Sequence, residues 1–275
     1  MWGLNWPVMK SGISAFPPLA FRTLSMWMGL PLIYAATRLM KVSLRIEREH
    51  WRETGVLTFT NMIVWYVLAM ISLQSLTSGR AAILGYTMPI FSAIVGAWLF
   101  GQRLNLRQWS GVAAAAVGVA LLLWHELGRM AGTPWGAGGM LVAAAVWALG
   151  TQQLRRTRIN APTMAIVFWM TLATTLVMTL LTVTFERAQW HRPDATAWFG
   201  IVYNAVLIFG FAQPAWLVLA RGLPPVASTL SVMLIPVLGT VSGAWWLNEQ
   251  LHWQDIAAML LMLVAIASVL WPARR

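Results

Sequence analysis

The stretch PIFSAIVGAWLFGQRLNLRQWSG, residues 89–111, returns 147 residues later without a gap as PVLGTVSGAWWLNEQLHWQDIAA, residues 236–258. Pro89 falls on Pro236, Gly96-Ala97-Trp98 on Gly243-Ala244-Trp245, Leu104 on Leu251 and, further along, Trp124 on Trp271. Alanine, leucine and valine coincide easily in apolar sequence, so the proline, glycine and tryptophan matches carry the comparison. At a shift of 145, Trp2 and Lys10 also fall on Trp147 and Arg155. The chain reads as two copies of one unit, residues 1–124 and 134–275, joined by a linker at 125–133.

The composition says what surrounds those units. Of 275 residues, 59% are hydrophobic and 10% charged, against roughly 25% charged in a soluble domain. Eight stretches lack Asp, Glu, Lys and Arg for 18 residues or more: 54–79, 81–102, 108–125, 130–154, 159–185, 195–220, 222–248 and 256–273. A bilayer core of ~30 Å needs about 20 such residues in a helix. Residues 18–38 add a ninth span, with Arg22 toward the outer face within snorkelling reach of water, read first as a plain anchor and otherwise, with Lys10, as a positive rim that attracts carboxylates at the outer mouth of the cavity. Residues 2–14 are apolar but short of a full crossing. They lack the basic lead-in and small-residue cleavage site of a signal peptide, so they are read as a tenth span whose start lies upstream of Met1 or was trimmed. The expectation is an all-α polytopic membrane protein of about ten transmembrane helices, arranged as two five-helix repeats. Five is odd, so the second repeat enters the membrane inverted, a construction that recurs in secondary transporters.

The +11 formal charge follows the same topology. Thirteen basic residues lie in the loops after even-numbered spans and at the C-terminus, from Arg38 to Arg275, against four on the other side: Arg80, Arg129, Arg187 and Arg192. The positive-inside rule then puts both termini in the cytoplasm. Basic loops facing anionic lipid account for the charge, and nucleic acid is not needed as a partner. The absence of cysteine excludes disulfides and thiolate–metal sites. No zinc-protease motif, phosphate loop or Ser/His/Asp grouping is present, and the four histidines lie in separate loops. Enzyme chemistry and cofactors are therefore not expected. Channel-type charged rings or a filter loop are not seen either.

Three segments resemble a known family. WGLNWPVMK (2–10) with PPLAFR (17–22), GRAAILGYTMPIFSAIVGAWLFGQRLNLRQWSG (79–111) and PVLGTVSGAWWLNEQLHWQDI (236–256) are similar to ten-helix EamA-type members of the drug/metabolite transporter superfamily. The resemblance covers nearly the whole chain. It implies two five-helix repeats, a central cavity and export of small metabolites, often amino acids, across a bacterial inner membrane. The family's Glu after the fourth helix of each repeat stands here as Glu249, with Gln102 in the first half. Trp65, Trp147, Tyr86, Tyr203 and Phe209 fall on helices that line the family's cavity. Such rings suit amphipathic or aromatic solutes.

Polar residues deep in lipid line a wet cavity or bond to one another. Asn5, Asn61, Tyr86, Gln152, Tyr203, Asn204 and Gln213 fit that description, and Asn5 and Gln213 join the five aromatics as candidate substrate contacts. Pro89 and Pro236 remove a helix hydrogen bond at matching places, as hinges or as static kinks. Lys10 and Arg155 are candidate charges at the two mouths of the cavity. No acidic residue lies inside a span, which leaves exchange, facilitated diffusion and proton coupling open. The expected protein is a monomeric alternating-access exporter of small amphipathic metabolites, amino acids first. The alternatives are a multidrug or lipophilic-cation exporter and a non-transport membrane protein.

Overall fold

Long apolar runs in lipid must satisfy their backbone within each segment, and helices do so. A computed structural model describes residues 1–128, 134–222 and 234–270, and every regular element among them is helical. In chain order these are α1 (Trp2–Ala15), α2 (Pro18–Leu39), α3 (Arg48–Ser75), α4 (Ser78–Phe100) and α5 (Leu106–Gly128). The second series is α6 (Pro134–Arg155), α7 (Thr163–Phe185), α8 (Ala195–Gly222), α9 (Ile235–Leu247) and α10 (Trp253–Leu270). α3, α4, α7 and α8, at 28, 23, 23 and 28 residues, are long and apolar enough to cross a membrane by themselves. Trp98, Trp124, Trp135 and Trp245 are 79%, 78%, 86% and 84% exposed. A coat of exposed tryptophan suits lipid and its interfaces.

α5 runs on to Gly128, so the first residues of the expected 125–133 linker continue a helix. The rest of the linker with Arg129, the first half of the ninth span with Ser231, and residues 271–275 with Trp271, Arg274 and Arg275 lie outside the described residues.

The packing pairs repeat. α5 packs on α10, α4 on α9 and α2 on α7; α3 packs on α6 as α1 does on α8; α4 packs on α6 as α1 does on α9; α2 packs on α8 as α3 does on α7. Exchanging each helix with the one five places on maps this set onto itself. Direction inverts too. Lys10, near the end of α1, meets the last turn of α3, and Gly136, at the start of α6, lies against Ser75 of that same turn. At the other end of α6, Thr157 bonds Glu53 at the start of α3. α1 therefore ends where α6 begins, and the two run oppositely.

Local details obey the same exchange. α4 ends on Gly101 (φ 65°) and α9 on Asn248 (φ 52°), 147 residues apart, both left-handed. Glycine and asparagine are the residues that tolerate that cap. α3 carries a π-helical turn at Phe59–Ile63 and α8 one at Asn204–Ala212. Pro89 and Pro236 are not in the interior of continuous helices, contrary to the kink expectation. α4 breaks at Tyr86-Thr87 and restarts at Met88, and α9 starts at Ile235, so each proline is the second residue of a new helix. There its missing N–H has no intrahelical partner to lose.

Candidate functional site

Six helices line a pocket whose empty space, its open side included, is about 440 Å³. α1 contributes Trp2, Asn5, Trp6 and Met9, and α3 contributes Trp65, Tyr66, Ala69 and Met70. Both sets repeat every three or four residues, so each is a single helix face. Arg22 of α2, Tyr86 at the break in α4, Trp147 of α6, and Ile208 and Gln213 of α8 complete the wall.

The aromatic part is a run of indoles. Trp6 meets Trp65 edge-on with centroids 6.5 Å apart, and Trp65 meets Trp147 at 4.5 Å. Gly85 makes room for it: a methyl group there would lie 3.1 Å from Trp65 and 3.2 Å from Trp6. The polar part is unsatisfied. Asn5 Oδ1, Trp147 Nε1, Gln213 Nε2 and Arg22 Nε are buried without a hydrogen-bond partner. A buried orphan polar atom costs ~1–3 kcal/mol, and such groups in native proteins ordinarily have a purpose. Four of them share one aromatic-lined wall, which presents both rings and unpartnered polar atoms to the pocket.

Arg22 overturns the anchoring expectation. It does not snorkel; it is 2% exposed and faces the cavity. Its place is set by Glu186, which follows α7 and accepts the N–H of Leu19 (2.9 Å) and of Ala20 (2.7 Å), fixing the first turn of α2. One turn on, the Arg22 guanidinium donates from Nη1 to Asn204 Oδ1 at 3.0 Å. Nη2 reaches the sulfurs of Met9 and Met70, and the group lies 5.1 Å from the Tyr66 ring centroid and 5.4 Å from that of Phe209.

Of the seven residues expected to touch substrate, Asn5, Trp65, Tyr86, Trp147 and Gln213 line the cavity. Tyr203 and Phe209 do not. Tyr203 is half-buried at the start of α1, where its hydroxyl donates to the Met1 carbonyl at 2.9 Å. Phe209 is fully buried behind the wall, against Tyr66 and Gly29. Asn61 and Gln152 bond within the helix bundle, to Leu57 and Ser92. Lys10 and Arg155 prove equivalent in a different role from the expected one. Lys10 donates to the Leu73 and Gln74 carbonyls (2.8 and 2.9 Å) at the end of α3, and Arg155 to the Ala220 carbonyl (3.3 Å) at the end of α8. Each cation clamps the C-terminus of a pseudo-equivalent helix, where the helix dipole favours it. Trp2, Trp6, Met9, Tyr66 and Met70 were not anticipated, although their spacing from Asn5 and Trp65 on shared helix faces was available.

Comparison with known proteins agrees with this architecture. The profile of the EamA-like transporter family matches residues 1–124 and 134–271, so the chain belongs to that family. It is a polytopic membrane transporter, and neither the family nor the named relatives are enzymes. A probable amino-acid metabolite efflux pump of Salmonella typhimurium is 26% identical over 97% of this chain and 90% of its own length. An aromatic amino acid exporter of Ancylobacter novellus is 25% identical over 83% of this chain and 82% of its own. A solved crystal structure shares the fold with a TM-score of 0.72 at 20% identity, covering 98% of this chain and 94% of that one.

Proposed function

We propose that this transporter exports amino acids and similar amphipathic metabolites, aromatic ones included, by alternating access through the cavity. The observation that carries the reading is the meeting of the Trp6–Trp65–Trp147 rings with four orphaned polar atoms in one buried space. The rings offer apolar area and edge contacts to a side chain. The polar atoms offer donors and an acceptor to a backbone-like head group. The names of the two similar exporters point the same way. A lipophilic cation is disfavoured, because the wall carries the cation Arg22 and no carboxylate.

In this reading the monomeric chain sits in the bacterial inner membrane, surrounded by lipid, with both termini cytoplasmic, and its halves, 1–124 and 134–275, rock about the cavity. The break at Tyr86-Thr87 and the start of α9 serve as the moving joints beside Pro89 and Pro236. Counterflow into proteoliposomes loaded with a labelled amino-acid panel, with and without a protonophore, is the test. Saturable exchange of phenylalanine or tryptophan supports the proposal. Exchange confined to tetraphenylphosphonium-like cations, or none with any amino acid, overturns it.

A further inference from the structure

The Arg22 guanidinium has one edge supplied and one bare. Its Nη1 side is held by Asn204, which is itself fixed by donating from Nδ2 to the Gly200 carbonyl at 2.9 Å. The other edge consists of Nε, which has no partner, and Nη2, which has only thioether sulfurs. Sulfur of methionine is a weak acceptor. This is the edge on which a carboxylate sits side-on, and the same chain shows the arrangement elsewhere: Arg80 donates from Nε to Asp255 Oδ1 at 2.7 Å and from Nη2 to Oδ2 at 3.5 Å. Arg22 makes no ion pair among the described residues, and none of the residues lining the cavity is acidic. A buried cation in a membrane protein is costly unless something compensates it. Here rings and thioethers pad it without neutralising it.

We propose that Arg22 is the carboxylate anchor of the transport site. The substrate's carboxylate takes the Nε–Nη2 edge in a two-pronged, charge-assisted contact that displaces the thioethers. Asn5 Oδ1, the orphaned acceptor of the same wall, suits the ammonium group, and the indoles receive the side chain. The substrate class is thereby narrowed from amphipathic metabolites to carboxylates, with free α-amino acids fitting best and their amides, amines and esters bound more weakly. This rests on the exporter reading above, which by itself does not say which end of the solute is recognised.

The test is equilibrium binding of radiolabelled ligands to the purified full-length protein in detergent, using phenylalanine, phenylalaninamide, phenethylamine and 3-phenylpropionate. The wild type is expected to bind phenylalanine about 10- to 100-fold more tightly than the amide or amine, the range of a charged hydrogen-bonded pair. 3-Phenylpropionate should bind more weakly than phenylalanine but better than phenethylamine. In Arg22→Gln, phenylalanine should lose its advantage over the amide; Arg22→Lys should keep part of the preference, having charge without the forked edge. Loss of a merely structural arginine would weaken acid and amide alike and leave their ratio as in the wild type. Should Arg22→Gln fail to fold, the wild-type ligand series and Arg22→Lys decide the matter. Equal binding of phenylalanine and its amide by the wild type overturns the anchor while leaving an amino-acid-derived substrate in place. Binding of 3-phenylpropionate without phenylalanine keeps the anchor and removes the amino-acid reading. Failure of both acids to bind overturns the anchor.

Discussion

Glu249 bonds the start of α4 from the far half of the chain, and the strength of that bond can be worked out and checked. Its carboxylate accepts the Ser78 N–H at 2.7 Å, the Ser78 hydroxyl at 2.9 Å and the Gly79 N–H at 3.2 Å. The first N–H groups of a helix have no partner inside it. A side-chain cap there contributes about 1 kcal/mol, and a partly buried negative charge at the positive end of the helix up to ~2 kcal/mol more. Glu249→Ala should therefore destabilise the protein by about 2–3 kcal/mol, and Glu249→Gln, which keeps one acceptor oxygen, by about 1 kcal/mol. The carboxylate occupies a slot that only glycine leaves open: a methyl on Gly243 would stand 2.5 Å from Glu249 Oε2 and closer still to Ser78 Oγ. Gly243→Ala should push the carboxylate off its donors and destabilise by roughly 1–2 kcal/mol. Because both changes remove the same contacts, the double variant should be little worse than Glu249→Ala, giving a coupling energy of about 1 kcal/mol or more. Reversible SDS titration in mixed micelles measures each corner of the cycle. Additivity within about 0.5 kcal/mol would refute the shared cap, as would a Glu249→Ala protein of wild-type stability.

Three further outcomes are expected. Trp147→Ala should weaken amino-acid counterflow about 10-fold through loss of the ring tilted against Trp65, whereas Trp147→Phe should keep most ring contacts and lose only what the indole N–H adds; equal losses in the two variants would deny the ring contacts their role. Single cysteines introduced at Arg103 and Gln250, in a chain with no cysteine of its own, should label oppositely with an impermeant maleimide on intact cells, Gln250→Cys reacting and Arg103→Cys not. Labelling of both from outside would abolish the inverted topology. Pro89→Ala and Pro236→Ala should each change stability by less than ~1 kcal/mol, since a proline in a first turn displaces no hydrogen bond, yet slow counterflow if the adjacent breaks are the joints; unchanged rates would make them static features.

The repeat, the ten helices and five of the residues that line the pocket are legible in the sequence, for physical reasons. Proline, glycine and tryptophan hold register where alanine and leucine do not, and spans declare themselves by length and freedom from charge. The side that a residue faces is harder to read. A helix that is apolar on all sides offers no amphipathic stripe, so nothing in α2 says whether Arg22 points to lipid headgroups or inward. Its place near the start of α2 can be read from the sequence; its direction was set by Glu186, 164 positions away in sequence and joined to α2 only by folding. In α8 the obstacle is the π-helical turn at Asn204–Ala212. A wider turn rotates every later residue relative to α-helical spacing, which puts Ile208 and Gln213 on the wall and Phe209 behind it. For Lys10 and Arg155 the pairing was visible as a repeat coincidence, but the acceptors that define their role are backbone carbonyls, and carbonyls have no sequence signature.

The frame of this protein is symmetric and its chemistry is not. Gly101 answers Asn248, Lys10 answers Arg155, and the two π-helical turns answer each other. Arg22, by contrast, falls on Val167 when α2 and α7 are aligned on the prolines that precede them, Pro17 and Pro162, and Glu249 falls on Gln102. In an alternating-access cycle between pseudo-symmetric halves, the inward- and outward-open forms are related by a pseudo-two-fold rotation that exchanges the halves, so common features contribute equally to both. Their difference in free energy comes only from positions where the halves differ. Each ~1.4 kcal/mol of such difference shifts the two populations tenfold. A charged cap on α4 lacking a charged equivalent at Gln102 is a difference of that order, and it favours closure on the side where Glu249 meets Ser78. A cation displaced toward one face of the cavity makes substrate carboxylate bind the two forms unequally, which is the condition for a ligand to shift them. The residues that break the repeat are thus the ones that can give a symmetric scaffold a direction.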